Sequence, residues 1–218
     1  MATLKYKIST NTPTEELKDR ILQALAGQSV DAKIAYLRVK TSDGSILGEV
    51  AVASSDWENY TLTKAVNITQ SGQASYFSLD ASDGAELYTY ILPEPVNLNA
   101  GDIVQITWSI GTKLGTKMLE VGTRILDYII GATADILVKT IEFYYQGNLQ
   151  ASVTADNVTA DIENNKVDVT GSITPSSDLN YDEVRLRDSS GNLLFRISNS
   201  GTLPGNTTTN FTITVNLK

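Results

Sequence analysis

The sequence predicts an all-β protein of two tandem β-sandwich domains, each led by one amphipathic helix. Three observations lead there. Ser and Thr number 44 and Asn 15 among 218 residues, while charged residues are only 19%; such a neutral polar surface belongs to strands and turns. Apolar and polar residues alternate over short runs that end in Gly-containing turns, the period of half-buried strands. These runs also recur in the same order at offsets of 103 to 107 residues.

The repeat is clearest at its start, where Arg20-Ile21-Leu22-Gln23-Ala24-Leu25-Ala26-Gly27 matches Arg124-Ile125-Leu126-Asp127-Tyr128-Ile129-Ile130-Gly131. Asp43-Gly44 before Val50 answers Gln146-Gly147 before Val153. Leu62, Ile68 and Thr69 answer Val167, Ile173 and Thr174. Leu79, Gly84, Leu87 and Tyr88 answer Leu186, Gly191, Leu194 and Phe195. Val104, Ile106, Trp108 and Ile110 answer Phe211, Ile213, Val215 and Leu217. The offset changes only at turns, where insertions are tolerated, and strand phase survives between them. The expected domains are residues 1–111 and 112–218, joined near Gly111–Gly115.

A leading strand is expected at Leu4–Ser9, followed by the first helix. Thr12-Pro13-Thr14-Glu15 supplies an N-cap Thr, a Pro at the first helical position and the Glu of a capping box. Leu17, Ile21, Leu22 and Leu25 form its apolar stripe, and Gly27 ends it. Met118, Val121, Ile125, Leu126 and Ile129 form the second stripe, ended by Gly131. Both helices are expected to cover one end of a β domain. Strands are expected at 32–40, 46–53, 60–69, 75–80, 86–92 and 102–110, then at 136–146, 149–154, 166–173, 183–187, 193–198 and 209–217. Glycines at Gly44, Gly84, Gly147 and Gly191 fit the positive-φ positions of hairpin turns. About 100 residues with many short strands and a returning last strand fit a Greek-key or jelly-roll-like sandwich.

The chain has neither His nor Cys. That excludes Ser-His-Asp and Cys-His nucleophile systems, zinc sites of the usual kind, Fe–S clusters and disulfides. A net charge of −8 argues against nucleic acid as a partner, which needs a basic face. No run of about 18 apolar residues would span a membrane. The N-terminus Met1-Ala2-Thr3-Leu4-Lys5-Tyr6-Lys7 lacks the apolar core of a secretory signal. Oxygen ligands at Asp80, Ser82, Asp83 and Asp188 invite a calcium reading. EF-hand spacing is missing, so turn chemistry is the expectation. Asp182 and Glu183, adjacent on a strand, point to opposite faces and make a poor catalytic pair. The chain is expected to be no enzyme and to need no cofactor or metal. Trp57 in a loop and Tyr144 and Tyr145 at a hairpin are the candidate surface-binding aromatics, with packing as the competing role. Trp108 is in phase with the core.

With its repeat, its sandwich strands and no chemistry in view, the chain resembles tandem jelly-roll virion structural proteins. More narrowly, it resembles vertex or turret (penton base) proteins of archaeal turreted icosahedral viruses. The resemblance covers the whole chain and is architectural. It implies self-association into a ring, such as a pentamer at a capsid vertex, with other capsid or turret proteins as neighbours. It also implies location in the virion after assembly in the host cytoplasm, with one repeat in the shell and the other projecting. The leading strand is expected to make extra contacts, so that deleting residues 1–10 impairs assembly and spares the fold. The segment from Asp19 to Gly27 leading to Ala35-Tyr36-Leu37-Arg38-Val39 is also similar to phage tail-fibre proteins, but Lys40-Thr41-Ser42-Asp43-Gly44 stands where those carry Gly-Thr-Gly. The alternative function is a carbohydrate- or cell-surface-binding module, an adhesin or tail-fibre segment, with host surface glycans as partners.

Overall fold

The computed structural model describes residues 2–9, 13–110, 120–121, 123–133, 136–164 and 166–216. Strands dominate it and form several sheets, so the protein is all-β. Its contacts divide into two units. Unit 1 comprises Met1–Leu17, Asp31–Gly111 and Leu126–Ala132; unit 2 comprises Lys18–Val30, Thr112–Ile125 and Thr133–Lys218. A cut at residue 111 separates the sheets of the two units, while the helical segments fall on both sides of it. The expected joint at Gly111–Gly115 and the helical Met118 lie outside the described residues.

In unit 1 the chain begins with β1 (Thr3–Ile8), and helix α1 (Glu15–Leu25) follows. The helix starts later than the sequence suggests. Thr14 is its cap, with Oγ1 accepting the Leu17 amide at 3.1 Å and donating to the Glu86 carbonyl at 2.6 Å. Pro13 therefore stays outside the helix and bridges to Tyr88, and the expected cap Thr12 lies outside the described residues. Strands β2 (Tyr36–Lys40), β3 (Ile46–Ala51), β4 (Trp57–Glu58), β5 (Thr61–Asn67), β6 (Gly72–Asp80), β7 (Glu86–Leu98) and β8 (Ile103–Ser109) complete the unit. They form two sheets, ordered β3-β2-β6-β7 and β1-β8-β5-β4. All pairs are antiparallel except β1 with β8, which runs parallel from Thr3↔Ile103 to Ile8↔Trp108.

The alternation read from the sequence fixes the buried faces. Leu37, Val39, Phe77, Leu79 and Leu87 of one sheet and Leu62, Val66, Val104, Ile106 and Trp108 of the other are at most 1% exposed. Tyr6 from β1 meets Phe77 from β6 edge-on, with ring centroids 4.9 Å apart, so the core lies between the sheets. At one margin the sheets come together: Leu47 O accepts the amides of Thr69 at 2.9 Å and Gln70 at 3.1 Å. β1 contributes Ile8, 1% exposed, to this core. Deleting residues 1–10 therefore removes core as well as surface, and the expectation that the fold is spared does not hold. β7 runs on past the expected Leu92 through Pro93 and Pro95 to Leu98. As an edge strand it tolerates residues without an amide proton.

Unit 2 is built from β9 (Glu120–Val121), α2 (Thr123–Ile129), β10 (Val138–Tyr145), β11 (Asn148–Thr154), β12 (Asn157–Asp161), β13 (Lys166–Ile173), β14 (Leu179–Asp188), β15 (Leu193–Leu203) and β16 (Thr209–Asn216). The sheets are β11-β10-β14-β15-β9 and β12-β13-β16. Val121 is paired with Phe195 as a strand residue, where its spacing predicted a helix. Ile141, Phe143, Val167, Val169, Val184, Leu186, Leu194 and Val215 are at most 3% exposed. Phe143 and Phe211 meet edge-on at 5.2 Å across the core.

The two sheet orders correspond strand for strand: β3-β2-β6-β7 to β11-β10-β14-β15, and β4-β5-β8 to β12-β13-β16. The segment before each helix adds to the same place, Pro13 opposite Tyr88 and Val121 opposite Phe195. Each helix starts two residues later, at Glu15 and Thr123, and both end on a glycine with φ of 79°, Gly27 and Gly131. α1 has 11 residues and α2 has 7, a difference of about one helical turn, which keeps the same face toward the core.

Candidate functional site

The three candidate aromatics fall in different settings. Trp57 follows the single turn Ser54–Asp56 and pairs with Leu62 on β5. Its ring is half-buried and its Nε1 is enclosed without a hydrogen-bond partner, so most of the indole is spent on packing. Tyr144 and Tyr145 share the β10–β11 hairpin, whose turn is made by Gln146 (φ 48°) and Gly147 (φ 79°). The Arg185 guanidinium lies 3.7 Å from the Tyr144 ring centroid, and the Tyr144 hydroxyl donates to Glu142 Oε2 at 3.0 Å. One face of that ring is therefore occupied. Tyr145 is 39% exposed and Leu149, on the same hairpin, is 51% exposed.

Around Tyr144 the outer face of the larger sheet in unit 2 carries a connected charge lattice. Arg187 donates to Glu142 at 2.6 Å, and Glu183 accepts from Arg185 and, at 2.6 Å, from Arg196. The corresponding face of unit 1 carries another lattice. Asp80 accepts from Arg38 at 2.8 Å and from Lys40 at 2.7 Å. Arg38 also reaches Glu49 at 2.9 Å, and Lys40 and the Tyr76 hydroxyl both donate to Glu86 at 2.8 Å. The signs are exchanged between the units. The strand after the helix is basic in unit 1 (Arg38, Lys40 on β2) and carries Glu142 on β10 in unit 2. The next sheet neighbour answers with Asp80 on β6 and with Arg185 and Arg187 on β14. Sequence reading missed this because the contacts of Arg38 and Lys40 with Asp80, of Lys40 with Glu86 and of Arg187 with Glu142 join residues 40 to 46 apart.

The carboxylates proposed for calcium are used otherwise. Asp80 is the anion shared by two cations. Asp83 accepts the Ala85 amide at 3.1 Å, and Asp188 Oδ1 accepts the amides of Ser190 and Asn192 at 2.9 and 2.8 Å. Ser82 donates to Asp31 at 2.5 Å. The bonds of Asp83 and Asp188 close turns, while that of Ser82 joins residues 51 apart.

Unit 2 also holds a cleft of about 310 Å³ between β11 and the β13–β14 connection. Ile173, Pro175 and Leu179 form its apolar part, and Gln150, Thr174 and Ser176 are among its polar lining. No local pattern in the sequence marks it, since the lining comes from a loop that crosses between sheets.

Electrostatics tie the fold to ionised carboxylates. Glu86 sits below the usual carboxylate range: burial pushes it up, but hydrogen bonds from Lys40 and Tyr76 more than reverse that. Glu183 is lowered in the same way, burial being outweighed by Arg185 and Arg196. Asp102 is lowered by the amides of Ala2 and Asn99, and Asp168 by Thr214 and Lys166. A carboxyl whose folded pKa is depressed stabilises the fold above its unfolded pKa and loses that contribution as pH falls through the folded value. The urea midpoint is therefore expected to be lower at about pH 3 than at pH 7, since unfolded carboxyls titrate near pH 4. Equal midpoints at the two pH values would contradict this.

Comparison with family models, curated proteins and solved structures yields no match for this chain.

Proposed function

We propose that the chain is a viral structural protein that self-associates to form part of a capsid vertex, turret or penton base. In this reading each unit is a jelly-roll-like sandwich, and the two derive from one ancestral domain by internal duplication. The observation that carries the reading is the repeated sheet order, with the segment before each helix added at the same point of the same edge strand. Such agreement in connection and edge position is hard to reach twice from unrelated sequences, because many strand orders satisfy the same packing rules. Two like sandwiches in one subunit suit a vertex component: one sits in the shell and the other projects. A chain without His or Cys is also suited to a role in which surfaces, not nucleophiles, do the work.

The test is quantitative peptide mass spectrometry of purified extracellular particles from the source culture. Co-purification with a coat protein at a small fixed ratio is the expected result. Absence from the particles, with the chain left in the cell envelope or supernatant, would remove the virion reading.

A further inference from the structure

The two units share a β-bulge and put it to different use. In unit 1, Val39 pairs with Gly48 and Lys40 with Ile46, so Leu47 is the extra residue of β3. In unit 2, Phe143 pairs with Ala151 and Tyr144 with Leu149, so Gln150 is the extra residue at the matching place of β11. A bulge takes its side chain out of the regular alternation and re-aims it.

Unit 1 closes the margin beside its bulge. Leu47 is 3% exposed and lies against Gly72, where a Cβ would come within 2.7 Å of Leu47 Cδ2. Its carbonyl holds the amides of Thr69 and Gln70, and the Asn67 carbonyl stands where a Cβ on Gly48 would need to be. Unit 2 changes each of these parts. Gln150 takes the place of Leu47 and is exposed. Ala151 carries a Cβ where Gly48 has none. Pro175, at the place of Gln70 on an offset of 105, has no amide proton to donate. The margin that is shut in unit 1 is here the cleft of about 310 Å³, at the lower end of the size range of small-molecule sites.

The β13–β14 connection that lines this cleft is pinned by the turn between β15 and β16. The Asn206 amide donates to the Pro175 carbonyl at 2.6 Å, and the Gly205 amide to Asp178 Oδ1 at 2.8 Å. The Thr174 and Thr208 hydroxyls share a hydrogen bond of 2.8 Å. A lining held in this way is preorganised for a ligand. Its remaining polar atoms are mostly acceptors. Gln150 Nε2 donates to the Asn148 carbonyl at 3.1 Å, which leaves Oε1 for another donor. Among the described residues, nothing donates to Gln150 Oε1 or Asp178 Oδ2, and the Ser176 and Ser177 hydroxyls have no partner.

We propose that this cleft binds a neutral saccharide. A sugar ring brings several hydroxyl donors for the Gln150 amide oxygen and the Asp178 carboxylate, the charged acceptor making the stronger bond. It also brings a C–H face for Ile173, Pro175 and Leu179. An ammonium group supplies its donors at one point, whereas these acceptors belong to two separate segments of the lining. Asp178 is the one charged residue of the lining, which holds no Lys or Arg, so carboxylated, sulfated or phosphorylated ligands are disfavoured. Such binding belongs to unit 2 alone and does not depend on the vertex reading.

The test follows amide chemical shifts of the isotope-labelled full chain during titration with the methyl glycosides of glucose, galactose, mannose and N-acetylglucosamine. At least one is expected to give saturable shifts centred on residues 150–151 and 173–179. Gln150→Leu installs at the bulge the residue type that unit 1 carries there and is expected to abolish the response. Asp178→Asn keeps an oxygen for the Gly205 amide and is expected to weaken binding about tenfold or more. Trp57→Ala and Tyr145→Ala are expected to leave it unchanged. Circular dichroism checks that each variant keeps its strands. No saturable shift at the cleft with any of the four glycosides would overturn the proposal, as would a stronger response there to glucuronate or ethylamine. Binding that survives Gln150→Leu and is lost in Trp57→Ala or Tyr145→Ala would also overturn it and assign the sugar to the aromatics.

Discussion

Asp80→Asn is expected to destabilise the protein by about 3–5 kcal/mol, the usual cost of removing one partner from a buried ion pair. Asp80 is 0% exposed and Lys40 5% exposed, and Asp80 Oδ2 is the oxygen that both Arg38 and Lys40 contact. The substitution keeps the shape and removes the charge. Among the described residues, the acid then left to Lys40 is Glu86 and that left to Arg38 is Glu49, whose side chains are 35% and 47% exposed. Solvent screens both of these acids, so neither replaces the buried one. Glu49→Gln, at the exposed end of the same lattice, is the control and should cost about 0–1 kcal/mol. Urea denaturation of the two variants beside the unmodified protein checks this. An Asp80→Asn protein as stable as the Glu49→Gln protein would mean that the lattice is ornamental.

The second large effect is expected at the margin where β3 meets β5. A Cβ on Gly48 would lie 2.5 Å from the Asn67 carbonyl oxygen and 3.2 Å from the Ile68 Cα. Both obstacles are backbone, at the last residue of β5 in the other sheet and the residue after it. Gly48→Ala must therefore part the sheets where Leu47 O holds the amides of Thr69 and Gln70. A loss of about 3 kcal/mol or more is expected, at or beyond the upper end for overpacking a core. Gly201→Ala makes the comparison, because the atoms it would meet belong to the Tyr181 side chain, its hydroxyl nearest at 2.6 Å. A ring end turns aside more cheaply than a strand, so the Gly201 change should cost clearly less. Thermal or urea unfolding that ranks the two the other way would show that the sheets are free to separate at this margin.

The parts of the fold legible in the sequence are those with local cause. Every strand predicted from alternation is present, because a half-buried strand writes its burial into every second residue. The hairpin glycines Gly44, Gly84, Gly147 and Gly191 all have φ between 79° and 90°. The elements that were missed lack such marks. β12 (Asn157–Asp161) has Val158 and Ala160 as its only apolar residues, and none of its five residues is fully buried. Val121 fits a helical stripe as well as a strand, and only its pairing with Phe195 decides between them. The site was less legible than the fold. An aromatic at a hairpin is visible in the sequence, whereas the guanidinium that covers Tyr144 comes from Arg185, on the strand paired beside it.

The division of the helical segments has a consequence for synthesis. Unit 1 includes Leu126–Ala132, where the Ile129 carbonyl accepts the Ile34 amide at 2.8 Å, and unit 2 includes Lys18–Val30. A ribosome therefore releases all the sheets of unit 1 before the residues that finish it. The earliest residues of unit 2 wait through the whole of that interval for their sheets. The two units cannot mature one after the other like beads emerging on a string, as multidomain chains commonly do. A nascent chain stalled near residue 111 should remain protease-sensitive, and protection should appear only after residues 126–132 have left the exit tunnel.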